Sequence, residues 1–337
     1  MLLFRCRYGA HLSKEQVAQL VAPHPDTLEL IHSWLEHHAV PSSAISMTQG
    51  GSGLTLTGVP VSKANEMLGA SYQIYRHTGT NDSTILRTIG YALPAVLHDH
   101  VQTVAPTTYF ASKRTLKLTP RRHIVGSTSD LVSRVPPDRK LVTPSKLRSL
   151  YKTATYEPVA MDRNELGIAG YLEDHPSPTD LEKFMTKFRA DAVNPDYRVV
   201  KINGGEDHTR HPSLEANLNI QLAQGIAYPT PQVFFSTGGE SVTNPDDTPG
   251  EDDMWFAWLN YMLREPNVPQ AVSLPYSDFE PNIPEDYTKT LCRMFGQLGT
   301  RGVSVLVPSG NDGLGKGNCK ADDGTVRFIP EFPSTCK

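Results

Sequence analysis

Hydrophobic and polar positions follow two different patterns along the chain, and the change falls near residue 144. Up to about residue 111, helical periods alternate with short β-forming runs. Ser13-Lys14-Glu15-Gln16 has the form of a capping box and predicts the start of a helix. Further elements are predicted at Asp26–His38 and Ser62–Leu68 (helices) and at Ile45–Thr48, Leu54–Thr57, Tyr72–Arg76 and Ile85–Ile89 (strands). Helices mixed with antiparallel strands indicate a small α+β domain over residues 1–111.

From residue 144 onward, short continuous apolar runs alternate with amphipathic segments. The predicted strands are Gly167–Leu172, Arg198–Ile202, Gln232–Ser236, Gln270–Leu274 and Val303–Val307, and the predicted helices are Thr179–Phe188, Leu214–Gln224, Asp252–Arg264 and Glu285–Leu298. Such runs, separated by helices, are typical of a parallel sheet that is covered on both faces. The predicted fold of residues 144–337 is therefore α/β, and a site is expected at the carboxyl ends of the strands.

Residues 112–143 differ from both neighbours in composition. Basic side chains crowd a stretch that is rich in Pro, Ser and Thr, and its only acids are Asp130 and Asp138. Such a stretch buries little apolar surface, so an exposed linker is predicted. Its exposure and charge suit a processing site, and a linker with no role in cleavage is the alternative.

Charge and hydropathy exclude two classes of partner. The formal net charge of −4 gives no electrostatic reason to expect nucleic acid. No apolar run approaches the roughly 20 residues that a membrane span needs, so no membrane partner is expected. The apolar stretch in residues 1–7 is too short for a signal peptide. That start predicts either a cytoplasmic protein or a chain that begins inside a longer gene.

The cysteines are too dispersed for a common metal or redox motif. Cys6, Cys292, Cys319 and Cys336 form no CxxC pair, which argues against a zinc ribbon or a thioredoxin-like site. Cys319 and Cys336 are spaced so that a disulfide between them would stabilise the chain by roughly 3 kcal/mol. Free thiols are the alternative.

Two motifs that suggest ligand binding are incomplete. The segment 310–317 fits the first seven positions of a P-loop, but the eighth, which must be Ser or Thr, is Gly317. A nucleotide site is therefore not expected. His98-Asp99-His100 and His37-His38 lack a second cluster at ligand spacing, so solvated histidines are expected there rather than a metal site.

The predicted helix between Ser213 and Gly225 carries a candidate polar pair. Glu215 and Asn219 are four residues apart and so share a helix face. Leu214, Leu218 and Leu222 form a neighbouring stripe, which is expected to pack on the sheet and leave the polar pair at its rim. A surface acid at position 215 is the alternative. Asp278 and Asn311-Asp312 are further polar candidates at predicted strand ends.

Several segments resemble those of one peptidase family, in the same order along the chain. Tyr8-Gly9-Ala10-His11-Leu12-Ser13 is similar to the pro-region signature of the sedolisins, the serine-carboxyl peptidases. The others are Ala169-Gly170-Tyr171-Leu172, Ile202-Asn203-Gly204-Gly205, Glu215-Ala216-Asn217-Leu218, the segment 225–231, Ser236-Thr237-Gly238-Gly239, the segment 301–306 and Gly317-Asn318-Cys319-Lys320. The resemblance covers essentially the whole chain and is greatest to the fungal secreted tripeptidyl peptidases.

The resemblance implies the organisation of a peptidase precursor. It implies a subtilisin-like peptidase domain, of which residues 144–337 would be the first part. A pro-domain, N-terminally truncated over residues 1–111, would act as intramolecular chaperone and inhibitor, and maturation would cut within residues 112–143. Peptide or protein substrates, acid conditions and an extracellular location are implied as well. The family's Ca²⁺ site would lie beyond the C-terminus, so no metal ligand is expected in this chain.

The resemblance also assigns roles to residues. In active members a Ser nucleophile gives its proton to a Glu, an Asp one turn further orients that Glu, and another Asp supplies the oxyanion hole. These last three positions match Glu215, Asn219 and Asn311, so both Asp positions carry Asn here. The implied substrate-binding residues are Ser273, Pro275, Tyr276, Ser277 and Asp278. Pro275-Tyr276-Ser277 stands where the family has Ser-Tyr-Gly, and Pro275 lacks a backbone donor.

These departures determine the functional expectation. An amide at position 219 cannot share a proton with Glu215, and no Gly-Thr-Ser nucleophile motif follows Cys336. The chain is therefore expected to be a serine-type endopeptidase or tripeptidyl peptidase by family, and catalytically incompetent as it stands. A non-catalytic peptide-binding or inhibitory pseudopeptidase is the alternative.

Overall fold

The N-terminal part of the chain is built from helices and two antiparallel hairpins. The computed structural model describes residues 9–48, 52–76, 84–110, 141–209, 212–239, 253–310, 324–326 and 330–336. The N-terminal helices are α1 (Lys14–Val21), α2 (Pro25–His37) and α3 (Val61–Leu68), and the strands are β1 (Ile45–Met47), β2 (Leu54–Leu56), β3 (Gln73–Arg76) and β4 (Thr84–Arg87). Strands β1 and β2 pair with each other, as do β3 and β4, and both pairs are antiparallel.

Local sequence signals explain where these helices begin. Ser13 Oγ accepts from Gln16 N at 3.2 Å and Gln16 Oε1 accepts from Ser13 N at 2.9 Å, which confirms the predicted capping box. Leu35 at the end of α2 packs with Val40, Met67 and Leu68 in a core of their own. The N-terminal part therefore has a hydrophobic centre that is separate from that of the rest of the chain.

The C-terminal part is organised by a five-stranded parallel sheet in the order β10-β8-β5-β7-β6. Its strands are β5 (Leu166–Gly170), β6 (Arg198–Ile202), β7 (Gln232–Thr237), β8 (Ala271–Ser273) and β10 (Ser304–Leu306). The helices are α4 (Pro144–Leu150), α5 (Pro178–Phe188), α6 (Leu214–Ala227), α7 (Met254–Arg264) and α8 (Glu285–Thr300). Two short strands, β9 (Asp278–Phe279) and β11 (Glu331–Phe332), form a separate antiparallel pair.

Side chains that alternate along the strands fill a core on each face of the sheet. Ile168 and Phe234 face α5 and α6, where they pack with Leu181 and Ile220. The next residues along the same strands, Ala169 and Phe235, belong to the larger core, which contains Trp255 and Trp258 of α7. A parallel sheet covered on both faces leaves its strand ends as the place for polar groups. The predicted α/β class is confirmed.

Helix α6 does not end at Gly225 as predicted, because this glycine has a packing role instead. The helix continues to Ala227. A Cβ placed on Gly225 would lie 2.7 Å from Pro144 Cγ and 3.2 Å from Phe184 Cε1. Glycine therefore allows α4 and α5 to approach α6 closely, and Arg189 Nη1 donates to the Gly225 carbonyl at 2.5 Å.

The cysteine pairing differs from the one considered from sequence. Cys336 is bonded to Cys292 of α8, with the Cα atoms 5.1 Å apart. The Cys319–Cys336 pairing is therefore wrong, and so is a free thiol at Cys336. Sequence spacing alone could not show that the segment after β11 runs beside α8. Cys319 itself lies outside the described residues.

Loss of this disulfide is expected to destabilise the protein. The bond spans 44 residues, and the chain-entropy relation gives about 4 kcal/mol for a loop of that length. The variant Cys292→Ser should therefore unfold at lower urea concentration than wild type and should be insensitive to dithiothreitol. Cys319→Ser is the matched control and should behave as wild type. Destabilisation of the Cys319 variant alone would contradict the observed pairing.

Candidate active site

A strained turn at the carboxyl end of β5 forms one wall of the candidate site. Leu172 and Glu173 have φ values of 61° and 57°, which residues other than glycine rarely adopt. The turn buries Tyr171, Asp174 and His175, whose exposed fractions are 3% or less. Strain of this kind persists only where surrounding contacts hold it, and it is common at functional sites.

Tyr276, which follows β8, closes this wall with a buried hydrogen bond. Its Oη donates to Asp174 Oδ2 at 3.0 Å, and its ring lies edge-on to Tyr171 with centroids 5.0 Å apart. Burial raises the pKa of Tyr276 well above its ordinary value, and the charges of Asp174 and Glu215 act in the same direction. Asp174 and Tyr276 therefore form a buried hydrogen-bonded pair at the sheet edge, and Glu215 is near enough for its charge to act on Tyr276.

Glu215 lies in the first turn of α6 and is only 5% exposed, so the alternative of a surface acid is wrong. Ser213 caps this helix, since its Oγ accepts from Ala216 N at 3.1 Å. The Ser213 N–H donates to the His175 carbonyl at 2.9 Å, which joins α6 to the turn after β5. The positive end of the helix dipole favours a carboxylate at this place.

Asn219 follows Glu215 by one turn and shares its face of α6. Its side chain is partly buried, and its Nδ2 atom has no hydrogen-bond partner within the described part of the chain. An amide keeps both hydrogens at every accessible pH, so it can donate here but cannot take up or release a proton. Asn311 and Asp312, the other predicted candidates, lie outside the described residues.

The prediction that a leucine stripe packs α6 on the sheet is wrong. Leu214 is 60% exposed and Leu218 is 41% exposed, whereas Ala216 and Ile220 are fully buried. Both stripes have the same four-residue spacing, so periodicity could not separate them, and the larger side chains misled the prediction. Ala216 and Ile220 pack with Ile168 and Phe234 of the sheet, and Glu215, next to Ala216, is buried as well.

The predicted substrate-binding residues are mostly buried. Pro275, Tyr276, Ser277 and Asp278 are buried, and Ser273 is partly exposed. Ser277 Oγ donates to Glu331, while Asp278 Oδ1 accepts from Phe279 N at 2.7 Å. The side chains of Ser277 and Asp278 are therefore engaged in hydrogen bonds within the chain.

The N-terminal part inserts a tyrosine beside this strand. Tyr109 is 3% exposed and belongs to the larger core of the C-terminal part. Its Oη donates to Asp278 Oδ2 at 3.0 Å, and its ring lies 5.2 Å from that of Tyr287. Arg87 Nε donates a hydrogen bond to the Tyr109 carbonyl at 2.7 Å. A second contact joins Leu12 N to the Thr300 carbonyl at 2.9 Å.

Asp253 is a buried carboxyl at the same junction. It caps α7 by accepting from Trp255 N at 3.0 Å, and Tyr287 Oη also donates to it. Burial raises the pKa of Asp253 above its ordinary value, while the hydrogen bond from Tyr287 and the charge of Arg87 oppose that rise. Arg87 and Asp253, one from each part, thus line the same cavity at the junction.

Sequence reasoning missed Tyr109, Arg87, Asp253 and Asp174. Asp174 had a usable signal, because it follows a predicted strand of the parallel sheet. The others had none, since their burial depends on how the two parts meet.

The described residues contain no group of three or more His, Cys, Asp or Glu side chains placed to hold a metal ion. Two histidines of the incomplete metal motifs make hydrogen bonds: His98 Nε2 lies 2.9 Å from the Leu93 carbonyl and His100 Nδ1 lies 2.8 Å from Thr27 Oγ1. The P-loop-like segment after Gly310 falls outside the described residues. Among the described helices, none is long and apolar enough to cross a membrane.

Comparison with known proteins gives consistent matches. The family "Pro-kumamolisin, activation domain" matches residues 5–110. Tripeptidyl-peptidase SED2 of Arthroderma otae is 31% identical, over 98% of this chain and 57% of that protein. Probable tripeptidyl-peptidase SED2 of Arthroderma benhamiae is 30% identical over the same shares, and tripeptidyl-peptidase sed4 of Aspergillus fumigatus is 27% identical over 98% and 55%. The chain therefore spans somewhat more than half the length of these relatives.

Among solved structures, Pseudomonas sedolisin complexed with two molecules of pseudo-iodotyrostatin matches 58% of this chain and 51% of that chain. The TM-score is 0.42 and the sequence identity is 17%.

Truncation of Tyr109 is expected to weaken the junction between the two parts. Tyr109→Ala should lower the free energy of unfolding by about 3–5 kcal/mol, the usual cost of emptying a buried aromatic site. Tyr109→Phe should lose only the hydrogen bond to Asp278, a cost of about 1–3 kcal/mol. Chemical unfolding followed by tryptophan fluorescence measures both. Tyr156→Ala, which truncates an exposed tyrosine, is the control. Equal stability of Tyr109→Ala and this control would contradict the observed insertion.

Asp253 is expected to make stability depend on pH. Its folded-state pKa is raised, mainly by burial. Its contribution is therefore fully present below its unfolded pKa of about 3.9 and is lost as pH rises through the folded-state value, by up to about 1.4 kcal/mol per unit. Relative to Asp253→Asn, wild type should lose stability over that interval in pH-dependent urea unfolding. Asp286→Asn, which removes an exposed carboxyl, is the control. A constant difference between wild type and the Asp253 variant would refute this assignment.

Proposed function

Because the chain belongs to the sedolisin family of serine-carboxyl peptidases, we propose that it comes from a secreted precursor of the tripeptidyl-peptidase type whose catalytic centre is impaired. The observation that carries the proposal is the placement of Glu215. It is a buried carboxyl at the amino end of α6, on the carboxyl side of a parallel sheet and beside Tyr276. The relatives named as tripeptidyl peptidases, similar over 98% of the chain, support the substrate class.

The impairment rests on the neighbour of Glu215. A pair of close carboxyls shares a proton, because both cannot easily ionise, and this gives such a pair its activity near acidic pH. Asn219 cannot take part in this exchange. In the Ser-His-Asp template, replacing the orienting acid by its amide lowers kcat by about 10⁴. Asn311 would still offer an amide donor to a developing oxyanion. We therefore expect Asn in place of Asp at this position to lower kcat less, on the order of 10²-fold.

The remaining parts of the proposal follow the family pattern. Residues 1–111 are proposed to serve as chaperone and inhibitor, and the basic segment 112–143 as the place of maturation. The insertion of Tyr109 beside Asp278 supports an inhibitory role, because it keeps a substrate-strand residue engaged. An extracellular location and a Ca²⁺ site outside this chain are proposed on the resemblance alone. No described residues fit such a site, so no catalytic step is assigned to the ion.

Restoring the carboxyl pair tests the proposal. The full-length protein should release tripeptides slowly from a fluorogenic substrate at about pH 4, where paired carboxyls operate. Asn219→Asp should raise kcat by about 10²–10⁴, since it supplies the missing proton partner.

The matched control is the double variant Asn219→Asp with Glu215→Gln, which should lose the gain. Full activity of the wild-type protein would show that Asn219 does not impair catalysis. No gain in the Asn219 variant, together with an inactive wild type, would favour the pseudopeptidase alternative.

A peptide-binding pseudopeptidase is the second candidate, and the retained Glu215 beside the altered Asn219 favours it. The chain would then keep a buried acid at the site while lacking the proton exchange that hydrolysis needs, and Pro275 would remove one backbone donor to a bound peptide. Saturable binding of tripeptide-containing peptides in calorimetry, without hydrolysis, would support this function. Absence of both binding and hydrolysis would argue against it.

A further inference from the structure

His175 is a buried imidazole that makes no side-chain hydrogen bond within the part of the chain that the structure describes. Its exposed fraction is 3%, and both ring nitrogens are inaccessible and unpartnered there. Buried polar atoms are hydrogen-bonded in the large majority of cases. An imidazole in this state favours the neutral form, because protonation would place a charge where water cannot solvate it.

A second imidazole lies directly against it. The rings of His175 and His208 are edge to face, with centroids 5.2 Å apart and planes at 86°. His208 is more exposed and contacts the carboxylate of Glu206 through Nε2. Among the described residues, the charged and titratable groups that act on His175 are His208 and Asp207 from the loop after β6, and Asp174 and Glu173 from its own turn. Two protonated rings at this separation would repel each other across a buried contact.

His175 also connects the elements that form the candidate site. Its carbonyl accepts the Ser213 N–H at 2.9 Å at the start of α6, two residues before Glu215. The preceding residue, Asp174, accepts the buried hydrogen bond from Tyr276. The turn that carries both begins with the positive φ values of Leu172 and Glu173. A displacement of the His175 side chain would therefore release a strained turn and loosen the first turn of α6.

We propose that His175, packed against His208, is an acid-responsive group that fixes residues 171–177 and the first turn of α6 while its ring is neutral, and loosens them when it takes up a proton. The inference rests on the contacts of the two rings and not on peptidase activity. It would therefore hold if the proposed function failed.

The electrostatics of the turn agree with this direction. Burial lowers the pKa of His175, and the neighbouring His208 lowers it further, against the opposing effect of Asp207, Asp174 and Glu173. The unfolded or opened turn, with a His pKa of about 6.5, takes up a proton before the closed turn does. The closed form is thus fully favoured above that pH and loses stability as the pH falls toward the folded-state pKa. For one proton taken up on opening, the equilibrium constant for opening rises by up to about tenfold for each pH unit of acidification.

Hydrogen exchange on the full chain tests the pair. Protection factors for peptides that contain residues 172–177 and Ser213, corrected for the pH dependence of intrinsic exchange, would be measured by mass spectrometry between about pH 7 and pH 5, a range that brackets the ordinary His pKa. In wild type the protection should fall by up to about tenfold per pH unit below about 6.5. His32→Gln, which removes an exposed histidine of α2, should show the same fall. His175→Gln should show protection that does not change with pH.

A second variant decides the question if His175→Gln does not fold. His208→Gln removes the like charge, so His175 should protonate more readily in the closed turn and the total loss of protection should be smaller than in wild type. A loss in His175→Gln or His208→Gln equal to that of wild type would overturn the proposal. So would wild-type protection that stays constant over the whole range.

Discussion

The parallel sheet must bury both of its faces, and this constraint determines where polar groups can lie in the molecule. Ile168 and Ala169, adjacent in β5, enter different cores, and neither face of the strand reaches solvent. Polar side chains are therefore displaced to the carboxyl ends of the strands and to the amino ends of the helices that follow. Asp174 and Tyr276 meet there although more than a hundred residues separate them, and the start of α6 with Glu215 is bonded to the same turn. The chemistry of the site is a consequence of how the sheet is covered.

The sequence predicts the elements of the sheet well because their signals are local. Strand β6 has the predicted bounds Arg198–Ile202, and the Ser13 capping box forms as expected. The polar pair Glu215 and Asn219 is also found where helical spacing puts it. The burial of Glu215 could not be predicted from helical spacing. Two stripes of α6 have equal periodicity, and only the fold shows which one packs on the sheet, where Ala216 and Ile220 lie fully buried.

Long-range contacts were the part that sequence patterns could not supply. Cys292 and Cys336 are joined because α8 and the segment after β11 are neighbours in space, and no spacing rule expresses this. Arg87 and Asp253 likewise come from distant segments and line one cavity where the two parts meet. Asn311 and residues 112–140 of the basic linker fall outside the described residues, so their roles stay predictions. The resemblance to a known family suggests roles for particular residues, whereas the environment of each residue is visible only in the fold.

Tyr109 shows that the boundary of a domain in sequence need not be the boundary of a cooperative folding unit. Its ring contacts Tyr287 of α8 and completes a core whose other aromatic side chains all come from the C-terminal part. After removal of the N-terminal part, that core would lose a buried aromatic ring, and the remaining molecule would be less stable than the uncut one. The uncut chain is then the form in which the larger core is complete.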